Sequence, residues 1–248
     1  MPGTGYFLEV HDIFKRFGHV MALDGVSLNA AQGEILAIVG DNGAGKSTLI
    51  KILSGVLVPD AGKIVINGKS YALLTPKTAL KAGISTVYQE LALADSRDVA
   101  ANIFLGRELT KRGFLDQKRM YAQAEQLIRD LGIVIPDVRM PVAVLSGGQR
   151  QGTAVARAVH QGGKFFIFDE PTAAMGLTET ATVMRLIKKL AKQGFGVIII
   201  SHNLPQVFEI SDRICVMRHG KVVGIVKTAD TAMEETVAMI TGVVNVSS

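Results

Sequence analysis

The sequence predicts an α/β fold built on a mostly parallel sheet, and three apolar runs carry this prediction. They are Ile35-Leu36-Ala37-Ile38-Val39, Phe165-Phe166-Ile167-Phe168 and Val197-Ile198-Ile199-Ile200. Each run is nearly continuous, as expected for strands that a parallel sheet buries on both faces. Polar residues follow each run directly, and open α/β sheets bind ligands outside the carboxyl ends of their strands. The sequence therefore predicts polar groups gathered at one edge of the sheet.

Apolar residues at helical spacing predict helices between these strands. The first helix runs from Ser47 to Ser54 and stops at Gly55. The second has Asp116 as its cap and Gly132 as its stop, and its apolar stripe is Met120, Ala124, Leu127, Ile128 and Leu131. The third ends near Gly194, with the stripe Val183, Leu186, Ile187 and Leu190. We expect these stripes to be core faces.

Two β-hairpins are predicted beside the parallel core. Ile64-Val65-Ile66 precedes the turn pair Asn67-Gly68, and a second hairpin runs from Ile214 to Val226 with His219-Gly220 as its turn. Residues of about 91–150 lack any strong strand pattern, which predicts an inserted helical subdomain. We therefore expect residues 1–248 to form one domain, with a flanking antiparallel β subdomain and the helical subdomain around the parallel core.

Composition restricts the class of protein. The 248 residues are 48% hydrophobic and 20% charged, enough for a full hydrophobic core. The net charge of +5 is compatible with nucleic acid, an anionic membrane surface or a phosphorylated ligand, but the basic residues are scattered and are explained by solvated surface. We expect no nucleic-acid partner. Neither a secretory signal nor an apolar run of about 18 to 20 residues is visible, so membrane work would go through partners. The single Cys215, inside an apolar run, is expected to be a buried, unreactive thiol.

A phosphate loop follows the first apolar run. The segment Gly40-Asp41-Asn42-Gly43-Ala44-Gly45-Lys46-Ser47 matches the pattern G-x-x-x-x-G-K-[ST]. Its glycines let successive N–H groups point at phosphate oxygens, and the helix starting near Lys46 adds its positive end. We expect Lys46 to reach the β- and γ-phosphates of a nucleotide, Ser47 to ligate Mg²⁺, and Thr48 to join the nucleotide contacts. The fold prediction thereby becomes a P-loop NTPase core.

Two further segments carry chemistry. The second apolar run ends in Asp169-Glu170, the form of a Walker B strand, where Asp169 would hold the Mg²⁺ shell and Glu170 would polarise the attacking water. Leu145-Ser146-Gly147-Gly148-Gln149, which we call the signature segment, predicts a second anion site. Ser146 would cap a helix at whose start Gly147 and Gly148 expose backbone N–H groups. A second phosphate site on one chain suggests that it faces the nucleotide of another subunit.

With these segments, nearly the whole chain resembles the ATP-binding subunits of ABC transporters. The resemblance implies ATP as the nucleotide and a head-to-tail pair, with each ATP between one chain's phosphate loop and residues 146–149 of the other. It also implies that Gln89, in Val87-Tyr88-Gln89-Glu90, contacts Mg²⁺ and the water, and that His202, after the third run, contacts the γ-phosphate. Phe17 would stack on adenine, although it and nearby Phe14 have an alternative place in the core.

Two residues depart from the expected pattern. The family usually has an Asp six residues after the catalytic Glu, whereas Ala173-Ala174-Met175 leads here to Gly176. This change, which sugar-uptake ATPases of the ribose and fructose type tolerate, puts communication between the two sites in doubt. Gly152 lies inside the presumed signature helix, where glycine costs about 1 kcal/mol relative to alanine. The sequence offers no reason for that glycine.

The subgroup follows from two stretches. Val87-Tyr88-Gln89-Glu90-Leu91 and Ala101-Asn102-Ile103-Phe104-Leu105-Gly106-Arg107-Glu108 resemble the bacterial monosaccharide-uptake ATPases, in their single-domain, fructose-type form. This implies ATP hydrolysis coupled to sugar import at the cytoplasmic face of the inner membrane. The implied partners are transmembrane permease subunits and, indirectly, a periplasmic sugar-binding protein. An exporter ATPase, a non-transport ABC ATPase and a regulatory module that binds ATP without hydrolysing it remain alternatives.

Overall fold

A six-stranded sheet forms the centre of the protein. The structure, a computed structural model, describes residues 5–243. In spatial order the strands are Lys221–Lys227 (β12), Arg213–Arg218 (β11), Ile35–Val39 (β3), Gly196–Ile200 (β10), Phe165–Asp169 (β9) and Ile84–Val87 (β6). Every neighbouring pair is parallel except β11 with β12 at the edge. The predicted mostly parallel sheet is confirmed.

Burial on both faces explains why these strands are continuous apolar runs. All five residues of β3 and of β10 are buried, as are the first four of β9. Along β3, Ile35, Ala37 and Val39 pack into one core, whereas Leu36 and Ile38 pack into a second core on the opposite face. Because side chains alternate along a strand, only a strand covered on both sides needs apolar residues at every position.

A second, antiparallel sheet lies beside the first. Its strands, in spatial order, are Val20–Ala31 (β2), Tyr6–Phe17 (β1), Ala61–Ile66 (β4) and Lys69–Tyr71 (β5). The predicted turn at Asn67-Gly68 is confirmed, because Ile66 pairs with Lys69 and both turn residues have positive φ. The second predicted hairpin is also confirmed, as β11 and β12. The long β1–β2 pair was not predicted, because register shifts interrupt its alternation, for example between Val10 and Ile13.

Helices pack on the central sheet and connect its strands. They span Lys46–Leu53 (α1), Pro76–Lys81 (α2), Val99–Phe104 (α3), Gln117–Leu131 (α4), Gly147–His160 (α5), Leu177–Lys192 (α6), Leu204–Ile210 (α7) and Met233–Thr241 (α8). The predicted ends of α4 are confirmed: the Asp116 side chain accepts from the Arg119 N–H, and Gly132 adopts the left-handed conformation. The stripes predicted on α4 and α6 are core residues, with Leu127 only partly buried.

The region between β6 and β9 is mainly helical. It contains α3, α4, α5 and a small hairpin formed by Thr110–Lys111 (β7) and Phe114–Leu115 (β8). Helix α5 packs against α3, α4 and α6, so the helices of this region form one packed group. Their division from the rest of the chain as a subdomain over about 91–150 stays a prediction.

The buried position expected for Cys215 is confirmed. Cys215 is fully buried, and burial raises the pKa of its thiol to about 12, so the thiol is unreactive at neutral pH. Within residues 5–243, no helix combines the length and the apolar character needed to cross a membrane.

Close packing accounts for the glycine inside α5. A Cβ built at Gly152 would lie 2.7 Å from Cγ2 of Ile133, just beyond the end of α4. This methyl is attached to the Ile133 Cβ, so it cannot swing away as the end of a long side chain can. The glycine therefore allows α5 and the segment after α4 to approach closely, which offsets its low helix propensity.

We predict that Gly152→Ala destabilises the protein although alanine is the better helix former. The overpacking against Ile133 should lower the free energy of unfolding by about 1 to 3 kcal/mol. Urea denaturation measures this change. The matched control is a double-mutant cycle with Ile133→Ala. The double variant should lose less free energy of unfolding than the sum of the losses in the two single variants. A single Gly152→Ala variant more stable than the parent would contradict the packing explanation.

Candidate functional site

The phosphate loop, Gln89, the Asp169-Glu170 pair and His202 all lie at the carboxyl edge of the central sheet. The phosphate loop follows β3, Asp169 and Glu170 end β9, His202 follows β10 and Gln89 follows β6. These four strands are adjacent and parallel. Ile200 pairs with Asp169, and Val87 pairs with Phe168, so the strands end at matching heights. Residues that are far apart in sequence are thereby brought to one edge.

The phosphate loop turns sharply between β3 and α1, and two of its glycines are sterically required. A Cβ at Gly40, where φ is 151°, would overlap the carbonyl oxygen of Met217. A Cβ at Gly45, where φ is 100°, would lie 2.5 Å from the carbonyl oxygen of Ala22. Within the described residues, nothing accepts a hydrogen bond from the N–H groups of Gly45, Lys46 and Ser47. These donors at the start of α1 suit an anion.

Lys46 folds back over the loop that carries it. Its Nζ donates to the carbonyl oxygens of Gly40 at 2.6 Å and Asp41 at 3.0 Å. Burial lowers the pKa of Lys46, while the nearby carboxylates of Glu170, Asp41 and Asp169 act in the opposite direction. The ammonium is therefore partly desolvated and surrounded by acids, a setting that strengthens its attraction for a phosphate group.

The carboxylates of Asp169 and Glu170 lie near Lys46, and His202 contacts one of them. Burial, and then the neighbouring charge of Glu170, raises the pKa of Asp169. Glu170 has a φ of 49°, and its N–H donates to the carbonyl oxygen of Ile200 at 3.0 Å. This left-handed turn lets the Glu170 Oε2 lie 2.9 Å from Nδ1 of His202. The structure thus joins Glu170 to His202, a contact that the sequence did not predict.

Gln89 is exposed, just beyond the end of β6. The segment after it is held by Arg157, whose guanidinium donates to the carbonyl oxygens of Leu91 and Ala92 at 2.7 Å each. Burial lowers the pKa of Arg157. Arg157 belongs to α5, the helix that begins with the signature segment, so one helix contacts both regions. The sequence gives no local sign of this role, because an arginine inside an amphipathic helix is ordinary.

Phe17 lies at the end of β1 with 48% of its surface exposed, so it is not a core residue. It pairs with Val20 at the start of β2, close to Ala22, whose carbonyl oxygen abuts the phosphate loop. The Lys15 ammonium lies 5.7 Å from the centre of the Phe17 ring. Phe17 is therefore an exposed ring near the loop, which is compatible with stacking on a base.

The signature segment starts α5 as predicted. The Ser146 side chain accepts from the Gln149 N–H at 3.4 Å, and the Gln149 side chain accepts from the Ser146 N–H at 3.0 Å, which together form a capping box. The Gly147 N–H donates to Oε1 of Glu179 at 3.0 Å. Glu179, in the first turn of α6, was not singled out from sequence, because an acid there is common.

The signature segment and the phosphate loop do not form one site within the chain. Throughout residues 5–243, no hydrogen bond or ion pair joins residues 145–149 to residues 40–48. Gly176 is the N-cap of α6 and provides no side chain for capping. The two segments predicted to bind anions are therefore not connected to each other by hydrogen bonds or ion pairs within the described chain, and their binding roles stay predictions.

These features define the class of protein. A phosphate loop between a buried parallel strand and a helix, next to an Asp-Glu strand end, is the site of a P-loop nucleotide-binding protein. The ABC transporter family profile matches residues 23–173, more than half of the chain. The chain belongs to this family and is one of its ATP-binding subunits, an ATPase.

Similar proteins support this assignment over the whole chain. A xylose/arabinose import ATP-binding protein of Sulfolobus acidocaldarius is 47% identical over 94% of this chain and 93% of its own. A fructose import ATP-binding protein of Rhizobium meliloti is 44% identical over 95% of this chain and 94% of its own. A dimeric ATP-binding cassette, solved in a post-hydrolysis state with ADP and phosphate, is 25% identical with a TM-score of 0.74, covering 89% of this chain and 98% of that one.

We predict that Asp169→Asn stabilises the nucleotide-free protein at neutral pH. The raised pKa of Asp169 means that its charged form is disfavoured in the folded chain, so removing the charge should raise the free energy of unfolding. This increase in the free energy of unfolding should be complete above the pKa that Asp169 has in the folded parent chain. It should vanish as the pH falls toward 3.8, the ordinary pKa of an aspartate. Urea denaturation at several pH values measures it, with the exposed Asp230→Asn as control. A loss of stability at pH 7 would contradict the prediction.

Proposed function

We propose that the chain is the ATP-hydrolysing subunit of a bacterial importer whose substrate is a monosaccharide. One observation carries the chemical part: the sheet edge brings Lys46, Asp169, Glu170 and His202 together beside the phosphate loop. The transport part rests on relatives named as sugar import proteins that match nearly their full length. The chain would act as one nucleotide-binding domain, with residues of about 91–150 as its helical subdomain.

The phosphate loop and Phe17 would hold the nucleotide. The N–H groups at the start of α1 would donate hydrogen bonds to the phosphate oxygens, and Phe17 would stack on adenine. Lys46 would exchange the carbonyl oxygens of Gly40 and Asp41 for the β- and γ-phosphates, because an anion is the better partner for an ammonium group. The residues proposed to contact one ATP molecule are Phe17, Gly40, Asp41, Asn42, Gly43, Ala44, Gly45, Lys46, Ser47 and Thr48 of one chain, together with residues 146–149 of the other chain.

Glu170 would act as the general base. Its carboxylate lies at the strand end beside Lys46, where it would accept a proton from the attacking water. His202 lies 2.9 Å from that carboxylate, so it would orient Glu170 and contact the γ-phosphate from the same position. Lys46 would stabilise the charge that develops on the phosphoryl oxygens.

Ser47, Gln89 and Asp169 would hold Mg²⁺. A hydroxyl, an amide oxygen and one carboxylate fit an ion that uses few protein ligands and completes its shell with water and phosphate oxygens. Consistent with such a sparse set, residues 5–243 contain no group of three or more His, Cys, Asp or Glu side chains placed to hold a metal. When bound, the ion would neutralise charge on the phosphate oxygens.

Two chains would complete the site. The signature segment is not joined to the phosphate loop of its own chain, so it is available to the nucleotide of a second copy in a head-to-tail pair. Transmembrane permease subunits would contact the region after Gln89, which Arg157 ties to α5. A periplasmic sugar-binding protein would act indirectly, and the chain would lie at the cytoplasmic face of the inner membrane, without nucleic acid as a partner.

We predict that Lys46→Ala abolishes ATP binding, whereas Glu170→Gln keeps ATP binding and loses turnover. The first change removes the cation that neutralises the phosphates, and the second removes the proton acceptor while retaining its shape. Loss of the base should lower kcat by about 10² to 10⁴-fold. Fluorescent-nucleotide titration and a phosphate-release assay measure the two effects. Full turnover by Glu170→Gln, or unchanged nucleotide affinity of Lys46→Ala, would contradict these roles.

The transport proposal has its own experiment. The chain is reconstituted with its membrane partner in vesicles, and ATPase activity is measured with a panel of binding proteins, each with and without its ligand. We expect one monosaccharide-loaded binding protein to stimulate the rate, and the Glu170→Gln chain to show no stimulation. Failure with every sugar, together with activity that needs no binding protein, would instead favour an exporter.

A further inference from the structure

The Glu179 side chain forms a hydrogen bond with the first residue of the helix that the signature segment begins. Its Oε1 accepts from the Gly147 N–H at 3.0 Å, and Gly147 is the first residue of α5. Glu179 is the third residue of α6 and is half-buried. This hydrogen bond joins the part of the chain that follows Glu170 to the signature segment.

The geometry around Glu179 is specific. A Cβ at Gly147 would lie 3.3 Å from Oε2 of Glu179, and a Cβ at Gly148 would lie 3.7 Å from the Glu179 carbonyl oxygen. Gly147 therefore leaves room for the Glu179 carboxylate, whereas a Cβ at Gly148 would make only an ordinary van der Waals contact with α6. The carboxylate lies at the positive ends of both helices, where a negative charge is stabilised.

The remaining donors of the signature segment are then defined. Glu179 uses the Gly147 N–H, and the Ser146 oxygen accepts from the Gln149 N–H. The Ser146 hydroxyl hydrogen and the Gly148 N–H have no acceptor within residues 5–243. Both donors are available to a phosphate group. Their direction depends on how the first turn of α5 is oriented, and Glu179 holds that turn.

Glu179 also connects the two regions of its own chain. It follows the proposed base Glu170 by nine residues. Between them, Pro171 is buried, and the Thr172 hydroxyl donates to Oε1 of Gln206 at 2.8 Å. Gly176, the cap of α6, has no side chain that could make such a connection. Glu179 therefore lies nine residues from Glu170 along the chain and is hydrogen-bonded to the signature segment.

We propose that Glu179 is a positioning residue that orients the Ser146 and Gly148 donors toward the γ-phosphate of the partner's ATP. This inference rests on the proposed function, because it requires the signature segment to serve a second chain's nucleotide. A competing role has the opposite sign: a carboxylate at a helix start could occupy the anion position and weaken phosphate binding. The experiment separates the two.

The first experiment measures ATP-dependent pairing in the Glu170→Gln background, which retains ATP. Light scattering follows pairing, and fluorescent-nucleotide titration follows ATP binding by the single chain. Glu179→Ala should weaken pairing about a hundredfold, because a loss of about tenfold, as expected for one charge-assisted hydrogen bond, occurs at each of the two sites of the pair. Nucleotide affinity of the single chain should be unchanged. Glu179→Gln, which keeps an oxygen acceptor, should recover most of the pairing. Unchanged or tighter pairing by Glu179→Ala would overturn the inference.

A mixed pair tests which nucleotide Glu179 serves. One chain carries Lys46→Ala, so the single ATP lies in the other chain's phosphate loop and against the first chain's signature segment. Glu179→Ala should weaken this pair only when placed on the Lys46→Ala chain, and equal effects on either chain would overturn the inference. If the parent chains fail to pair with ATP, the proposed function itself fails, a result distinct from pairing that ignores Glu179.

Discussion

The parallel alignment of β3, β10, β9 and β6 is the constraint on which the site depends. Burial on both faces demands apolar side chains along these strands, so polar groups are excluded until each strand ends. Since the strands run in one direction, their polar ends coincide at one edge. Ile200 and Asp169 lie side by side in the ladder, which brings Glu170 within reach of His202. The hydrogen bonds between the strands therefore also fix the distance between Glu170 and His202.

The charged groups at this edge of the sheet suit a bound ligand better than they suit the stability of the ligand-free chain. Lys46 is desolvated, and Asp169 is held beside another carboxylate, so each group has a pKa shifted against its charged form. Such shifts reduce the stability of the nucleotide-free protein. They are typical of functional sites, whose charged groups destabilise the ligand-free protein and are stabilised by the charges of the bound ligand. The required glycines at positions 40 and 45 add the same kind of local cost.

Much of the fold followed from local pattern, because burial and capping act over short stretches. The run over 35–39, the Asp116 cap and the Asn67-Gly68 turn are each readable from a few neighbouring residues. The β1–β2 pair escaped prediction because its bulges break the alternation. Arg157, Glu179 and the close approach of Ile133 to Gly152 also escaped, because each depends on a partner brought near by the tertiary fold. The roles assigned to the site residues stay predictions.

The separation of the phosphate loop from the signature segment also constrains how such a protein can evolve. In a pair of identical chains, every substitution enters the assembly twice. In the proposed head-to-tail pair, a change in residues 40–48 would alter one half of each composite site, and a change in residues 145–149 would alter the other half of each. Neither site can lose its activity while its twin is preserved, unless the gene is first duplicated. As long as one gene encodes both chains, the two nucleotides must be treated alike.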